Sequence, residues 1–351
     1  MKKKYILTVL VGLLNLPVFS QHPPLDQNWD IVFEDNFNTF NSALWRKDDC
    51  IHGDEPQHYI PNNVVIENGQ LVLIAKNENY ICTKPNCNCN NSTFNYTSGQ
   101  IASNYGLERK YGYYEIYAKL PSYNAFFPAF WLWNASKTPP NCWYNEIDIM
   151  EAAGCVPSWV SSNYQVTFDC LEEKRVAKRY PCNYANGSYH WYGVEWDSEK
   201  ITWYVDRKTV RQIPNNGKGI GIQHSLNIYI NLALYPPPNT PGWEECTCYL
   251  ENNDNFPAKM YVDQANGYKL KYDCNKNETI NNFNDFSNYI YKVKKSITLG
   301  GGTTLPAGSN IFLRATDYIE LQNGFTVANG AELYLDNNPC DGISSNSKTI
   351  K

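Results

Sequence analysis

Short apolar or alternating runs recur along most of the chain, parted by Gly, Pro and Asn. Examples are Val64-Val65-Ile66, Leu71-Val72-Leu73-Ile74, Tyr113 to Leu120, Phe130 to Trp133, Tyr192 to Trp196, Ile201 to Val205 and Leu226 to Leu234. Helical periodicity is almost absent. Period-two runs bounded by turn residues predict strands, and many short ones predict a sandwich or barrel. The fold class read from this pattern is all-β. The texture ends after Met260-Tyr261-Val262-Asp263, and a polar, Asn-rich stretch over 274–294 reads as a linker. Beyond it, at 295–340, short strands return about every ten residues with Gly or Asn turns, as in Ile311-Phe312-Leu313 and Ile319-Glu320-Leu321. That rhythm predicts a small stacked β module with solenoid character.

Composition narrows the classes. The net charge is −5 and charged residues make up 19% of the 351, so nothing argues for a nucleic-acid partner. Aromatics reach 15%, which suits a β-rich core or platforms for flat ligands. The basic start Lys2-Lys3-Lys4, the apolar run Ile6 to Leu14 and the small Ser20 read as a signal peptide over residues 1–20. The run is too short to span a bilayer. The expected location is therefore secreted or cell-surface. The twelve Cys all follow that segment, and an even count in an exported chain favours disulfides. Cys170 and Cys182 bracket a basic loop and are one pairing expected. Cys82, Cys87 and Cys89 have no familiar zinc spacing.

Candidate chemistry lies in Asn145-Glu146-Ile147-Asp148-Ile149-Met150-Glu151. Burying charge in a strand is costly, so three acids among apolar residues suggest a face that uses them. Alternation places Glu146 and Asp148 on one face, and Glu151 on the other. One β-bulge at Ile149-Met150 returns Glu151 to the face of its partners. Two carboxyls so gathered suit glycoside hydrolysis, one as nucleophile and one as proton donor. A solvated acidic face or a calcium site is the bland alternative, although calcium loops space their acids on Gly-containing turns.

Glu146-Ile147-Asp148-Ile149-Met150-Glu151 resembles the signature of glycoside hydrolase family 16 in its bulged form. Flanking segments resemble the same family in the right order: Phe33-Glu34-Asp35-Asn36-Phe37, Asn63 to Leu73, Ser98-Gly99-Gln100-Ile101, Phe127-Pro128-Ala129-Phe130-Trp131, His190 to Trp196 and Ile201 to Asp206. The resemblance implies a concanavalin-like β-jelly-roll catalytic domain over 26–273. It implies Glu146 as nucleophile, Glu151 as acid/base and Asp148 as assisting acid, with retention of configuration and no cofactor needed for catalysis. Trp131 and Trp143 are implied as sugar platforms, and Asn63 and Asn231 as substrate-binding residues. Glu34 and Asp263 lie where a structural calcium is often held. The implied substrate is a β-1,3-glucan, with agar, porphyran or carrageenan as alternatives, cut by a monomer. The stretch Ile319 to Cys340 resembles a small module of secreted Bacteroidetes proteins.

Some residues depart from the family pattern. No His follows the acid strand between Val156 and Phe168, and Leu234-Tyr235-Pro236-Pro237-Pro238 replaces a common Gly-Gly. The run Lys174-Arg175-Val176-Ala177-Lys178-Arg179 reads first as a solvated loop. Bordering a cleft, it would bind sulfate groups. His190 reads as structural. A lectin-like binding protein is the reading from another class, and the presence of all three acids speaks against it.

Overall fold

The computed structural model describes residues 29–51, 55–84, 87, 89, 91–136, 143–168, 172–175, 177–185, 187–197, 200–215, 222, 224–236, 248, 255–270, 273–281, 294–307, 310–337 and 348–350. The segment read as a signal peptide lies outside them. The described residues contain strands and one 3₁₀ turn, Pro61–Asn63, but no α-helix.

Two large sheets carry the described strands from Trp29 to Leu270. One has ten strands, in the order Lys208–Pro214, Lys200–Val205, Tyr189–Trp196, Gly112–Lys119, Ala258–Leu270, Gln70–Ile81, Thr93–Ser98 and Gln57–Tyr59. Trp29–Asp35 and Val64–Glu67 pair with strands inside that row. The other has eight strands, in the order Glu172–Arg175, Trp159–Phe168, Trp143–Ala152, Phe126–Ser136, Asn227–Leu234, Gln100–Ser103 and Trp45–Lys47, with Lys178–Pro181 beside Trp159–Phe168. The core lies between the sheets. Ile147, Ile149, Met150, Leu132 and Ile230 from one meet Ile116, Tyr192, Val194 and Trp203 from the other. Buried apolar area of this kind is the main favourable contribution to such a fold. Trp203 also reaches across to donate its indole N–H to the Asp148 carbonyl at 2.9 Å. This is the all-β sandwich expected.

Disulfides join Cys50 to Cys87, Cys82 to Cys89 and Cys155 to Cys248. The crowded cysteines near residue 87 are thus paired with one another and with Cys50. Of the expected Cys170–Cys182 pair, Cys170 lies outside the described residues. Cys182 is a free, buried thiol in the core, and burial pushes its pKa up to about 11.

The C-terminal module has its own core, built from Ile280, Ile297, Leu299, Leu305, Leu313, Ala315 and Leu333. Asp273–Ile280, Lys294–Leu299, Asn310–Leu321 and Glu332–Asn337 lie parallel, and Lys348–Ile350 closes one edge antiparallel. Thr304 stacks on Thr326, 22 residues on. Two of the expected repeats of about ten residues therefore make one rung of 22. The linker expected from residue 274 begins instead as the strand Asp273–Ile280. Ile280 alone among its residues 277–280 is buried, so no apolar run marks it. Most of the rest of that stretch, 282–293, lies outside the described residues.

Candidate active site

The strand Trp143–Ala152 sits between Phe126–Ser136 and Trp159–Phe168, antiparallel to both. Pairing is regular as far as Asp148, with Glu146 opposite Trp133 and Gln165, and Asp148 opposite Trp131 and Asn163. The register then shifts. The next pairs are Met150 with Phe130, and Glu151 with Ala129 and Ser161. One extra residue is accommodated, and both Ile149 and Met150 belong to the core. The expected bulge is present, and it returns Glu151 to the face of Glu146 and Asp148, turned away from the ten-stranded sheet. Deleting Ile149 would leave every observed pair intact. The deletion variant is expected to fold, losing about 2–4 kcal/mol of stability and less than about 100-fold in turnover. Denaturant melts and sugar release check this, and a folded but dead deletion would contradict it.

Glu146 is 8% exposed and Asp148 5%. Tyr144 donates its hydroxyl to Glu146 Oε2, and Gln165 Nε2 donates to Oε1 at 2.5 Å. Burial pushes the Asp148 carboxyl well above the usual carboxylate range. The charges of Glu146 and Glu151 and a hydrogen bond with Glu146 add to this, while a bond from Asn163 opposes it. Asp148 and Glu146 share a hydrogen bond, and the raised Asp148 carboxyl is the one of the pair placed to donate. Three donors converge on Glu146, the environment of an ionised carboxylate.

Cross-strand partners share a face, so Trp131 and Trp133 stand beside the acids. Trp131 stacks on Tyr229 at 4.6 Å and donates its indole N–H to Asn231 Oδ1 at 2.8 Å. Asn231, 4% exposed, donates to the Tyr59 hydroxyl at 2.9 Å, and that hydroxyl donates to Glu55 at 2.9 Å. Gln57 also donates to Glu55, at 2.6 Å. Asn231 thus holds Trp131 through a chain of bonds that begins at Glu55.

Burial pushes the Glu55 carboxyl up to about 7. A carboxyl raised on folding contributes stability that is complete below its unfolded value and is lost as pH rises through about 7. Glu55→Gln keeps the acceptor without the charge. It is expected to gain up to about 3 kcal/mol over the parent between pH 5 and pH 8. Denaturant midpoints at the two pH values measure it, and parallel pH curves for both chains would contradict it.

Two residues expected as sugar contacts lie elsewhere. Trp143 is an odd number of residues from Glu146, so alternation turns it to the opposite face. There it stacks on His224 at 3.7 Å, and Tyr144 takes the place beside Glu146. Asn63 has no exposed surface and donates to Thr97 at 2.7 Å. Its carbonyl lies so close to Gly99 that a Cβ there would approach to 2.4 Å, which shuts Asn63 away from any glycan.

Glu34 and Asp263, expected at a calcium site, each accept a hydrogen bond from another side chain. Glu34 accepts from the Tyr268 hydroxyl at 2.8 Å, and Asp263 accepts from Gln70 at 2.8 Å. Among the described residues no three His, Cys, Asp or Glu side chains gather as metal ligands. His190 bonds Asp206 at 2.9 Å and the Asn183 carbonyl at 3.1 Å on the other sheet, a structural role. The basic run forms edge strands beside Trp159–Phe168. Arg179 is exposed and pairs with Ser161, itself the partner of Glu151.

The two-sheet sandwich thus carries three acids on the outer face of one sheet. Residues 30–270 match the family model described as "Beta-porphyranase A-D, GH16 domain". The chain belongs to glycoside hydrolase family 16. It is 26% identical over 295 residues to glucan endo-1,3-beta-glucosidase A1 of Niallia circulans, covering 70% of this chain and 39% of that one. It is 27% identical to a beta-glucanase of Rhodothermus marinus, covering 76% and 93%. The chain thus spans well under half of the Niallia protein. The crystal structure of the endo-beta-1,3-glucanase from Pyrococcus furiosus superposes with a TM-score of 0.58 at 26% identity, over 70% of this chain and 96% of that one.

Proposed function

We propose that the protein is a secreted, retaining endo-glycosidase that cuts internal β-linkages of a polysaccharide. The observation that carries this is the bulge that brings Glu151 onto the face of Glu146 and Asp148. Glu146 attacks the anomeric carbon while Glu151 protonates the departing glycosidic oxygen. A glycosyl ester on Glu146 forms as the glycosidic bond breaks. Glu151, now ionised, takes a proton from water, and that water's oxygen displaces Glu146. Asp148 holds its proton against Glu146 and so orients the nucleophile without adding a third charge. The catalytic domain of this reading spans 26–273, with the C-terminal module as an accessory that carries no chemistry. Among the described residues no helix is long and apolar enough to cross a membrane. The three disulfides suit an oxidising compartment.

The substrate proposed first is a β-1,3-glucan, in keeping with what the Niallia relative's name states of that protein. A galactan such as porphyran, agar or carrageenan is the second reading. The porphyranase-type family model favours it, as does exposed Arg179 in register with Glu151. Reducing-sugar release from laminarin, lichenan, agar, porphyran and carrageenan by the folded chain tests both. Release from laminarin alone supports the glucan, and release from a galactan alone supports the second. Silence on the whole panel overturns the enzymatic reading.

A further inference from the structure

We infer that Tyr105 is a distal sugar-stacking platform of the cleft, held ready by Arg46. This rests on the glycosidase reading above. A single row crosses the sheet at right angles to its strands. Asp148 pairs with Trp131, Trp131 with Tyr229, Tyr229 with Ala102, and Ala102 with Arg46. All five positions share the acid face, because paired residues in adjacent strands point the same way. Four inter-strand steps of about 4.8 Å put Arg46 roughly 19 Å from Asp148, a span of several sugar residues.

Side-chain contacts join the row from Trp131 through Tyr229 to Arg46. Trp131 stacks on Tyr229, and the Arg46 guanidinium lies 5.6 Å from the centre of the Tyr229 ring while Nη2 donates to its hydroxyl at 3.2 Å. Asp48 pairs with Arg46 Nε at 3.0 Å, and the Ser103 carbonyl accepts from Nη1. Arg46 is therefore fixed. Its guanidinium then stands 4.3 Å from the centre of the Tyr105 ring. Tyr105 sits just past the strand Gln100–Ser103 and is 81% exposed, the highest value among the exposed large hydrophobic side chains described.

An aromatic ring left in water and fixed through one face presents the other for stacking. The apolar face of a pyranose fits such a ring, and the cation behind it adds to the hold on the ring itself. The occupant is the same polysaccharide chain that crosses the acids, because the row is continuous with them.

The test uses the full chain with Tyr105→Ala and Tyr105→Phe, on the panel polysaccharides and on their oligosaccharides of rising length. Tyr105→Ala is expected to raise KM for polymer about 3- to 10-fold, with kcat moving less and the effect shrinking as the substrate shortens. Tyr105→Phe, which keeps the ring, should behave like the parent. Binding of the same series to a Glu146→Gln background, read by calorimetry, separates this inference from the reading beneath it. A parent chain with no turnover but with length-dependent affinity that Tyr105→Ala removes sinks the enzyme and keeps the platform. Equal affinities for parent and Tyr105→Ala on polymer overturn the platform whatever the turnover. So does a loss that is the same at every length, which would mean that Tyr105 serves only to hold Arg46.

Discussion

Glu146→Gln is expected to lower kcat on the cleaved polysaccharide by about 10⁴-fold or more, with the fold intact. The side chain keeps its shape, and its carbonyl can still accept from Gln165 while its amide faces the Tyr144 hydroxyl. What is lost is the nucleophile, and with it the covalent intermediate. The change also removes one of the two charges that raise the Asp148 carboxyl, so that group should ionise more readily than in the parent. The sign for stability follows. A buried acid whose pKa is raised contributes stability that is complete below its unfolded value and is lost as pH rises through its folded one. Relieving the repulsion should therefore hold or raise the melting temperature at neutral pH. Reducing-sugar assays and thermal melts on the same sample check both halves. A folded Glu146→Gln that still turns over rapidly would remove Glu146 from the role assigned to it.

Glu151→Gln is expected to cost about 10²–10⁴-fold on polysaccharide, because a departing sugar hydroxyl needs a proton as the bond breaks. The loss should be much smaller on an aryl glycoside whose leaving group is already a weak base. That contrast separates an acid from a residue that merely shapes the cleft, which would affect both substrates alike. Equal losses on the two would place the proton donor elsewhere. The half-buried position of Glu151, at the turn of the bulge, differs from the deep burial of Asp148 and Glu146 and leaves it open to a leaving group and then to water.

Much of the acid row was legible in the residues alone. Met150 occupies the place where strict alternation would call for the third acid, so the bulge was implied by one mismatch between pattern and chemistry. Trp131 was pointed to by the family resemblance, and the pairing of Phe126–Ser136 with the acid strand sets it opposite Asp148. Counting alternation back from Glu146 selects Tyr144 rather than Trp143 for the acid face, as its bond to Glu146 shows. The burial of Asn63 is not legible locally, because it depends on Gly99 and Thr97, which approach it from 34 residues or more along the chain. The Glu55–Tyr59–Asn231–Trp131 chain is hidden in the sequence for the same reason, since Asn231 lies 172 residues from Tyr59. Its one local trace is Glu55-Pro56-Gln57-His58-Tyr59, with polar groups at alternate positions. In the C-terminal module the ten-residue rhythm was visible, but the 22-residue rung became clear only when Thr304 and Thr326 were seen to stack.

The central claim is that Glu146 and Glu151 act by double displacement. The most direct measurement is the anomer first released, read by proton NMR within the first minutes of digestion, before mutarotation. A β-linked substrate cut by this pair should yield the β-anomer first. Initial release of the α-anomer would mean a single displacement by water, and would contradict the assignment of Glu146 as nucleophile.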